Sequence, residues 1–249
     1  MRPSPLFLGI LAVAIGGGVL TILDPDPRSP TVIAGTFLLV IGGWAASLCL
    51  HEFGHAIVAY RGGDHEVYFK GYLTLDPRKY TDPVLSLLLP LLILAVGGIP
   101  LPGGAVWINH HALRNRRVES AVSLAGPLSN LVLGVLLVVA VRVFLHAMPV
   151  ALFAALSCLA LLQIMAFVLN ILPIPGLDGF GTIEPYLPYR ARELSAKVRP
   201  WAPLVLFAVL IGIPEANELF FEGVFSLFGA VGGYENAAGF GFSTFMFWK

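Results

Sequence analysis

Val32–Tyr60 reads VIAGTFLLVIGGWAASLCLHEFGHAIVAY. Its first part, to Leu50, contains no Asp, Glu, Lys or Arg, and then His51, Glu52 and His55 fall within five residues of one another. A bilayer core needs about 20 apolar helical residues per crossing, so the stretch predicts a spanning helix over 32–60. Ionisable groups inside such a span are costly unless they have partners, and are functional by default. The HEFGH spacing gives them a chemistry. At about 100° per residue, His51 and His55 lie about 40° apart on one helix face, close enough to share a metal ion. Glu52 sits beside them, placed to take a proton from the attacking water rather than to bind the metal. The bland reading, a polar cluster that only glues helices together, leaves that spacing unexplained.

The rest of the chain agrees with a membrane setting. Of 249 residues, 57% are hydrophobic and 12% charged, about half the ~25% charged share of a soluble domain. That excludes a soluble enzyme and a disordered chain. Lys+Arg 15 balance Asp+Glu 15 without clustering, so no nucleic-acid footprint is present. Further uncharged stretches predict spans over 5–23, 121–145 and 150–174, with a shorter run at 200–214 and an apolar tail broken by Glu235. The expected fold is an all-α multi-pass membrane protein of one domain, 1–249, with about five to six transmembrane helices, a re-entrant segment and a small β-hairpin. The hairpin is expected at Val67–Leu75, rich in aromatic and β-branched residues. The 5–23 stretch reads as an extra anchor, the alternative being a secretory signal. Cys49 and Cys158 lie in apolar helices and indicate no disulfide framework.

Catalytic zinc takes three protein ligands and keeps one open position. Candidates for the third are His110, His111, His146, Glu119 and Asp178. Asp178 ends an uncharged run interrupted by Pro173 and Pro175, where a plain Pro-Gly helix stop with an Asp-Gly turn is the competing reading. Topology decides. If Pro83–Leu113 dips into the membrane and returns, twelve of the fifteen Lys and Arg residues lie inside, and Arg28 and Arg142 lie outside. A full crossing abolishes that bias, so the positive-inside rule favours a re-entrant segment. The 32–60 and 150–174 helices then run in the same direction. That puts Asp178 at the depth of His51 and His55, whereas a full crossing puts it too far away to share a coordination sphere. Asp178 is therefore the expected third ligand.

HEFGH in one span and Asn170-Ile-Leu-Pro-Ile-Pro-Gly-Leu-Asp178-Gly179 in a later one resemble the site-2 protease family of intramembrane zinc metalloproteases. Ser123-Leu-Ala-Gly-Pro-Leu-Ser-Asn130, between them, matches that family's small-residue stretch. The resemblance covers about 32–180. It implies one Zn2+ held by His51, His55 and Asp178, with Glu52 as catalytic base. It also implies a re-entrant segment whose edge strand, around Gly103–Ile108 and including Gly103 and Gly104, presents backbone to the substrate, with Asn170 hydrogen-bonding substrate or oxyanion; the competing reading of Asn170 is a polar residue that holds helices together. The implied activity is endopeptidase cleavage of a single-span membrane protein within the cell membrane, the active site opening toward the cytoplasm. The additional N-terminal span, the very apolar Leu85–Val96 run and a chain without a PDZ or CBS-like regulatory domain depart from the family pattern.

Two other classes compete with a protease. A zinc transporter needs polar stepping stones through both halves of the bilayer, and apart from Thr, Ser and Gln163 the spans are apolar. A catalytically inactive membrane chaperone or binding protein has no use for an intact Glu52. Among individual residues, His110 and His111 lie next to Arg114-Asn-Arg-Arg117 and read as a solvated loop. Cys49, about 200° around the helix from His51, reads as packing. Gly126 and Ser129 read as small residues that permit close helix approach, and Pro127 as a kink. Trp107 and the tail residues Phe240, Phe242, Phe245, Phe247 and Trp248 read as interfacial anchors.

Overall fold

A computed structural model describes residues 2–80 and 106–248. Its first two helices start in the same way. α1 (Pro5–Leu20) and α2 (Pro30–Gly62) each carry Pro at the first helical position, after a Ser whose hydroxyl accepts a free backbone N–H. Ser4 caps Phe7 at 3.1 Å and Ser29 caps Val32 at 3.3 Å. α2 stops at Gly63, whose φ of 124° only glycine adopts without strain.

The chain then makes a short helix, α3 (Glu66–Phe69), and a 3-10 turn at Tyr72–Thr74. Val67–Leu75 is thus helical turns, not the expected strand or hairpin. The reason is tertiary: Val67, Tyr72 and Leu73 are buried in one cluster with Ala56 and Ala59 of α2. Gly71 and Leu75, both in the left-handed region, break any extended run. The expected re-entrant segment lies mostly at 81–105, outside the described residues. Its flanks are described. The Tyr80 hydroxyl donates to the Cys49 carbonyl at 3.0 Å, and the Val106 N–H donates to Glu52 Oε2 at 3.0 Å. The chain leaves and returns within one turn of the same face of α2. Burial pushes the Tyr80 phenol well above its usual range, so this anchor stays a donor.

Two long helices follow: α4 (Arg116–Val143), capped by Asn115 on Val118 N–H, and α5 (Val150–Asn170). α5 ends where the sequence places Pro173 and Pro175, and Gly176 turns the chain at φ 98°. The chain continues through α6 (Asp178–Ile183), α7 (Tyr189–Val198), α8 (Ala202–Gly212), α9 (Pro214–Ala230) and α10 (Glu235–Phe245). Among the described residues, α2, α4 and α5 are long and apolar enough to cross a membrane, and α7 with α8, bent by 64°, makes a fourth if counted as one span. That is fewer than the five to six expected, because α1 is shorter at 16 residues and the tail divides into short helices.

Helices meet where a side chain is missing. A Cβ at Gly17 would strike the backbone of α2 near Leu39, one at Gly35 the Gly17 carbonyl, and one at Gly42 the backbone of Ala14. Gly54 admits the Ala125 carbonyl of α4, and Gly134 of α4 admits Ile164 of α5. Small residues let backbones close in lipid, where no hydrophobic drive between helices exists. The tail differs from its sequence reading. Gly241 admits the Ala154 carbonyl of α5, so α10 lies against the bundle. Phe245 is fully buried and stacks on Phe37 at 5.5 Å, a core residue rather than an interfacial anchor. Gly17→Leu should therefore cost about 1–3 kcal/mol or more by overpacking. Thermal unfolding in detergent should show a lowered midpoint for G17L and no drop for Gly9→Leu, where a Cβ has nothing within 4 Å among the described residues.

Candidate metal centre

The centre is assembled from α2, α4 and α6. His51 and His55 project from one face of α2, both about 7% exposed, and each has its Nδ1 occupied by α4. His51 Nδ1 meets Asn130 Oδ1 at 2.6 Å and His55 Nδ1 meets the Val122 carbonyl at 2.7 Å. A carbonyl only accepts, so His55 carries a proton on Nδ1, and in the neutral ring Nε2 is the nitrogen free to ligate. The contact to Asn130 Oδ1 leaves His51 in the same state.

Asp178 arrives from α6, which is seated by its glycines. A Cβ at Gly179 would collide with the Ile171 carbonyl and one at Gly181 with Ser123. Phe180 is buried between them. The Ser120 hydroxyl donates to the Thr182 carbonyl at 2.7 Å and ties α6 to α4. The Asp-Gly pair is therefore a docking device for the carboxylate, beyond the turn that its sequence suggests.

Three acceptor atoms then face each other. His51 Nε2 and His55 Nε2 are 3.1 Å apart, and Asp178 oxygens lie 3.1 Å from the first and 3.5 Å from the second. Two bare imidazole nitrogens and a carboxylate repel in a low-dielectric site unless a cation bridges them. Tetrahedral ligands with bonds of ~2.0–2.1 Å to zinc stand about 3.3–3.4 Å apart; the two histidine nitrogens stand near that spacing, each Asp178 oxygen approaches a different one of them, and one ligand atom from each residue lies within 4.8 Å of the others. Space agrees as well. A Cβ at Gly126 would fall on both Nε2 atoms, so this glycine keeps the cation position open. Its sequence reading as a close-approach residue is extended: Gly126 lets α4 lie close to α2, and it does so where the two histidine Nε2 atoms face it. Among the described residues, His51, His55 and Asp178 form the one group of this kind able to hold a metal ion.

Glu52 stands apart from this trio. It is 3% exposed, and its Oε2 accepts the Val106 N–H. Val106 is held there by Asp64, a fully buried carboxylate whose Oδ2 accepts Asn109 N–H at 2.7 Å, and by Arg114, whose N–H donates to the Gly62 carbonyl. The trio and Glu52 line one cavity of about 300 Å3 that also exposes Trp44, Leu48, Asn170 and Phe180. Asn170 Nδ2 donates back to the Ala166 carbonyl at 3.0 Å, leaving its amide oxygen for other contacts. Gly103 and Gly104 lie outside the described residues. Of the other candidates, His110 pairs with Glu119 at 2.9 Å near the cavity mouth, while His111 and His146 are exposed. Cys49 points into packing and is fully buried, as its helical angle implies. The roles of Asn130, the Val122 carbonyl and the Val106 amide escaped the sequence reading. Two are backbone groups, and Asn130 was visible only as the last residue of a small-residue stretch.

No protein-family model matches this chain, and no solved structure matches it. Named relatives do. A protein of Mycolicibacterium smegmatis named "Putative zinc metalloprotease Rip2" is 49% identical over 228 residues, covering 92% of this chain and 87% of its own. Its namesake from Mycobacterium tuberculosis is 46% identical over 249 residues, covering 100% and 95%. "Putative zinc metalloprotease YwhC" of Bacillus subtilis is 33% identical over 177 residues, covering 68% and 77%. Apolar membrane-capable helices around a His-His-Asp group, together with relatives named as putative zinc metalloproteases, support a protease role. The chain belongs to the site-2 protease family, and its cofactor is zinc. Gly126→Ala should lower the zinc content of purified protein at equilibrium, weakening affinity by about 10-fold or more. Metal analysis after dialysis against a dilute chelator reads this out, with Gly9→Ala as the control expected to match the parent.

Proposed function

We propose that this protein is an intramembrane zinc endopeptidase that cleaves single-span membrane proteins, with one zinc ion held by His51, His55 and Asp178. The observation that carries the reading is the division of labour around one cavity: three acceptors converge on a cation position, and a fourth buried carboxylate, Glu52, stays outside it. When bound, zinc supplies Lewis-acid polarisation of the scissile carbonyl and a more acidic attacking water. Glu52 takes the proton from that water and returns it to the leaving amine. The Val106 N–H fixes Oε2, so Oε1 is the oxygen left to move the proton. The Asn170 amide oxygen accepts a backbone N–H of the substrate. The segment with Gly103 and Gly104, continuing into Val106–Ile108, pairs with the unwound substrate backbone.

Depth and orientation belong to the same proposal. The flanks of 81–105 return to Cys49 and Glu52 of one helix, which supports a re-entrant segment. The clustering of Arg61, Arg114, Arg116 and Arg117 near that end supports an active site facing the cytoplasm. A buried, cavity-lining Glu52 also favours an enzyme over an inactive binding protein.

Glu52→Gln should retain zinc while cleavage falls by about 10²-fold or more; cleavage at the parental rate would sink the mechanism. Asp178→Ala should lower the zinc stoichiometry of purified protein, and a full complement in D178A removes Asp178 from the ligand set. In membrane proteomes, cells carrying E52Q should accumulate single-span fragments that cells with the parent protein clear. Equal fragment levels would argue for another substrate class. A reporter fused between Arg114 and Arg117 should read cytoplasmic, and an external signal overturns the orientation.

A further inference from the structure

Behind His51 runs a row of polar side chains that the proposed chemistry does not use. Asn130 of α4, Gln163 of α5 and Ser47 of α2 are each at most 3% exposed, in helices otherwise lined with aliphatic residues. Their contacts form one line. His51 Nδ1 meets Asn130 Oδ1 at 2.6 Å, and Asn130 Nδ2 meets Gln163 Oε1 at 2.8 Å. Gln163 Nε2 meets Ser47 Oγ at 3.0 Å, and Ser47 Oγ meets the Trp44 carbonyl at 2.7 Å.

The far end of this line is the informative one. The Trp44 carbonyl can only accept, so the Ser47 hydroxyl spends its hydrogen there. Ser47 Oγ must then accept from Gln163, which fixes the glutamine with its NH2 toward Ser47 and its oxygen toward Asn130. That oxygen needs a donor, which fixes Asn130 with its NH2 toward Gln163 and its oxygen toward His51. The Asn130 oxygen in turn needs the Nδ1 proton of His51, and Nε2 is left bare toward Asp178 and His55. Reversing the line would send the Ser47 hydrogen to Gln163, turn both amides over and put a proton on His51 Nε2, where no metal can bind. His55 needs no such relay, because the Val122 backbone carbonyl holds its Nδ1 directly.

We infer that Gln163 and Ser47 are positioning residues of the metal centre: acting through Asn130, they set the tautomer of His51 and so its readiness to ligate zinc. The inference rests on His51 being a ligand. Outer partners of metal-bound histidines typically carry about 10–100-fold in metal affinity, and residues acting in series do not contribute additively.

The test is chelator competition on purified, folded protein, measuring zinc affinity of the parent, Asn130→Ala, Gln163→Leu, Ser47→Ala and the N130A/Q163L pair. Ser157→Ala is the control, since its buried hydroxyl on the same helix as Gln163 has no partner among the described residues. N130A and Q163L should each weaken zinc binding about 10–100-fold, S47A by less, and S157A not at all. The pair should bind no more weakly than N130A alone, because Gln163 has no route to His51 once Asn130 is gone. Loss through general loosening of the bundle would instead add up, and would appear in S157A too. Parental affinity in a folded Q163L, or additive losses in the pair, overturns the relay. If Q163L does not fold, S47A combined with N130A is read by the same criterion. The metal reading fails separately: a parent protein that holds no zinc, or a His51→Ala variant that keeps it at full affinity, removes the ligand itself.

Discussion

Everything in this bundle is arranged around one electrostatic demand: the Nε2 atoms of two buried histidines and the two oxygens of the half-buried Asp178 carboxylate crowd together, with contacts of 3.1–3.5 Å. Such a contact is unstable without positive charge between the groups, and only rigid neighbours can hold it ready. The neighbours are correspondingly rigid. α4 lies against α2 through Gly54, both histidine Nδ1 atoms are engaged by α4, and α6 is locked in place by two glycines that leave its backbone no other fit. Helix packing without a hydrophobic drive is what makes those glycines decisive, since each marks a point where backbone meets backbone.

The proposed base and the proposed ligands are held by different means. Side chains and a helix carbonyl orient the histidines, so their geometry is written into α2 and α4. Glu52 is oriented by the main chain of an irregular segment, anchored by the buried Asp64 carboxylate and by Arg114. A buried carboxylate that satisfies backbone donors across a loop is a structural use of charge, distinct from the chemical use proposed for Glu52 about three turns away. The low-exposure acids Asp64 and Glu52 look alike in composition and differ only in what they face.

Much of this was readable in the sequence. Residues 32–60 announced a helix with a metal-binding face, and the break at Pro173 and Pro175 announced that Asp178 stands free of its span. These readings succeeded because periodicity and charge scarcity are local signals that burial does not override. Val67–Leu75 failed because β propensity describes a fit to a pleated surface, whereas here the same residues pack on the flank of α2. Phe245 failed because an aromatic tail looks the same whether it meets an interface or a bundle core, and Gly241 decides which. Asn130, the Val122 carbonyl and the Val106 amide were hidden for a further reason. Two are backbone groups without sequence identity, and the third acquires its role only when α4 is laid across α2.

The Val106–Glu52 hydrogen bond ties two tasks to one piece of chain. The strip from Val106 to Ile108 borders the cavity, and the Val106 amide is also the tether of Glu52, the proposed base. No side chain stands between them to absorb displacement. Displacement of this strip would therefore reach the Glu52 carboxylate through a single hydrogen bond, which on the proposed mechanism couples substrate docking to the base.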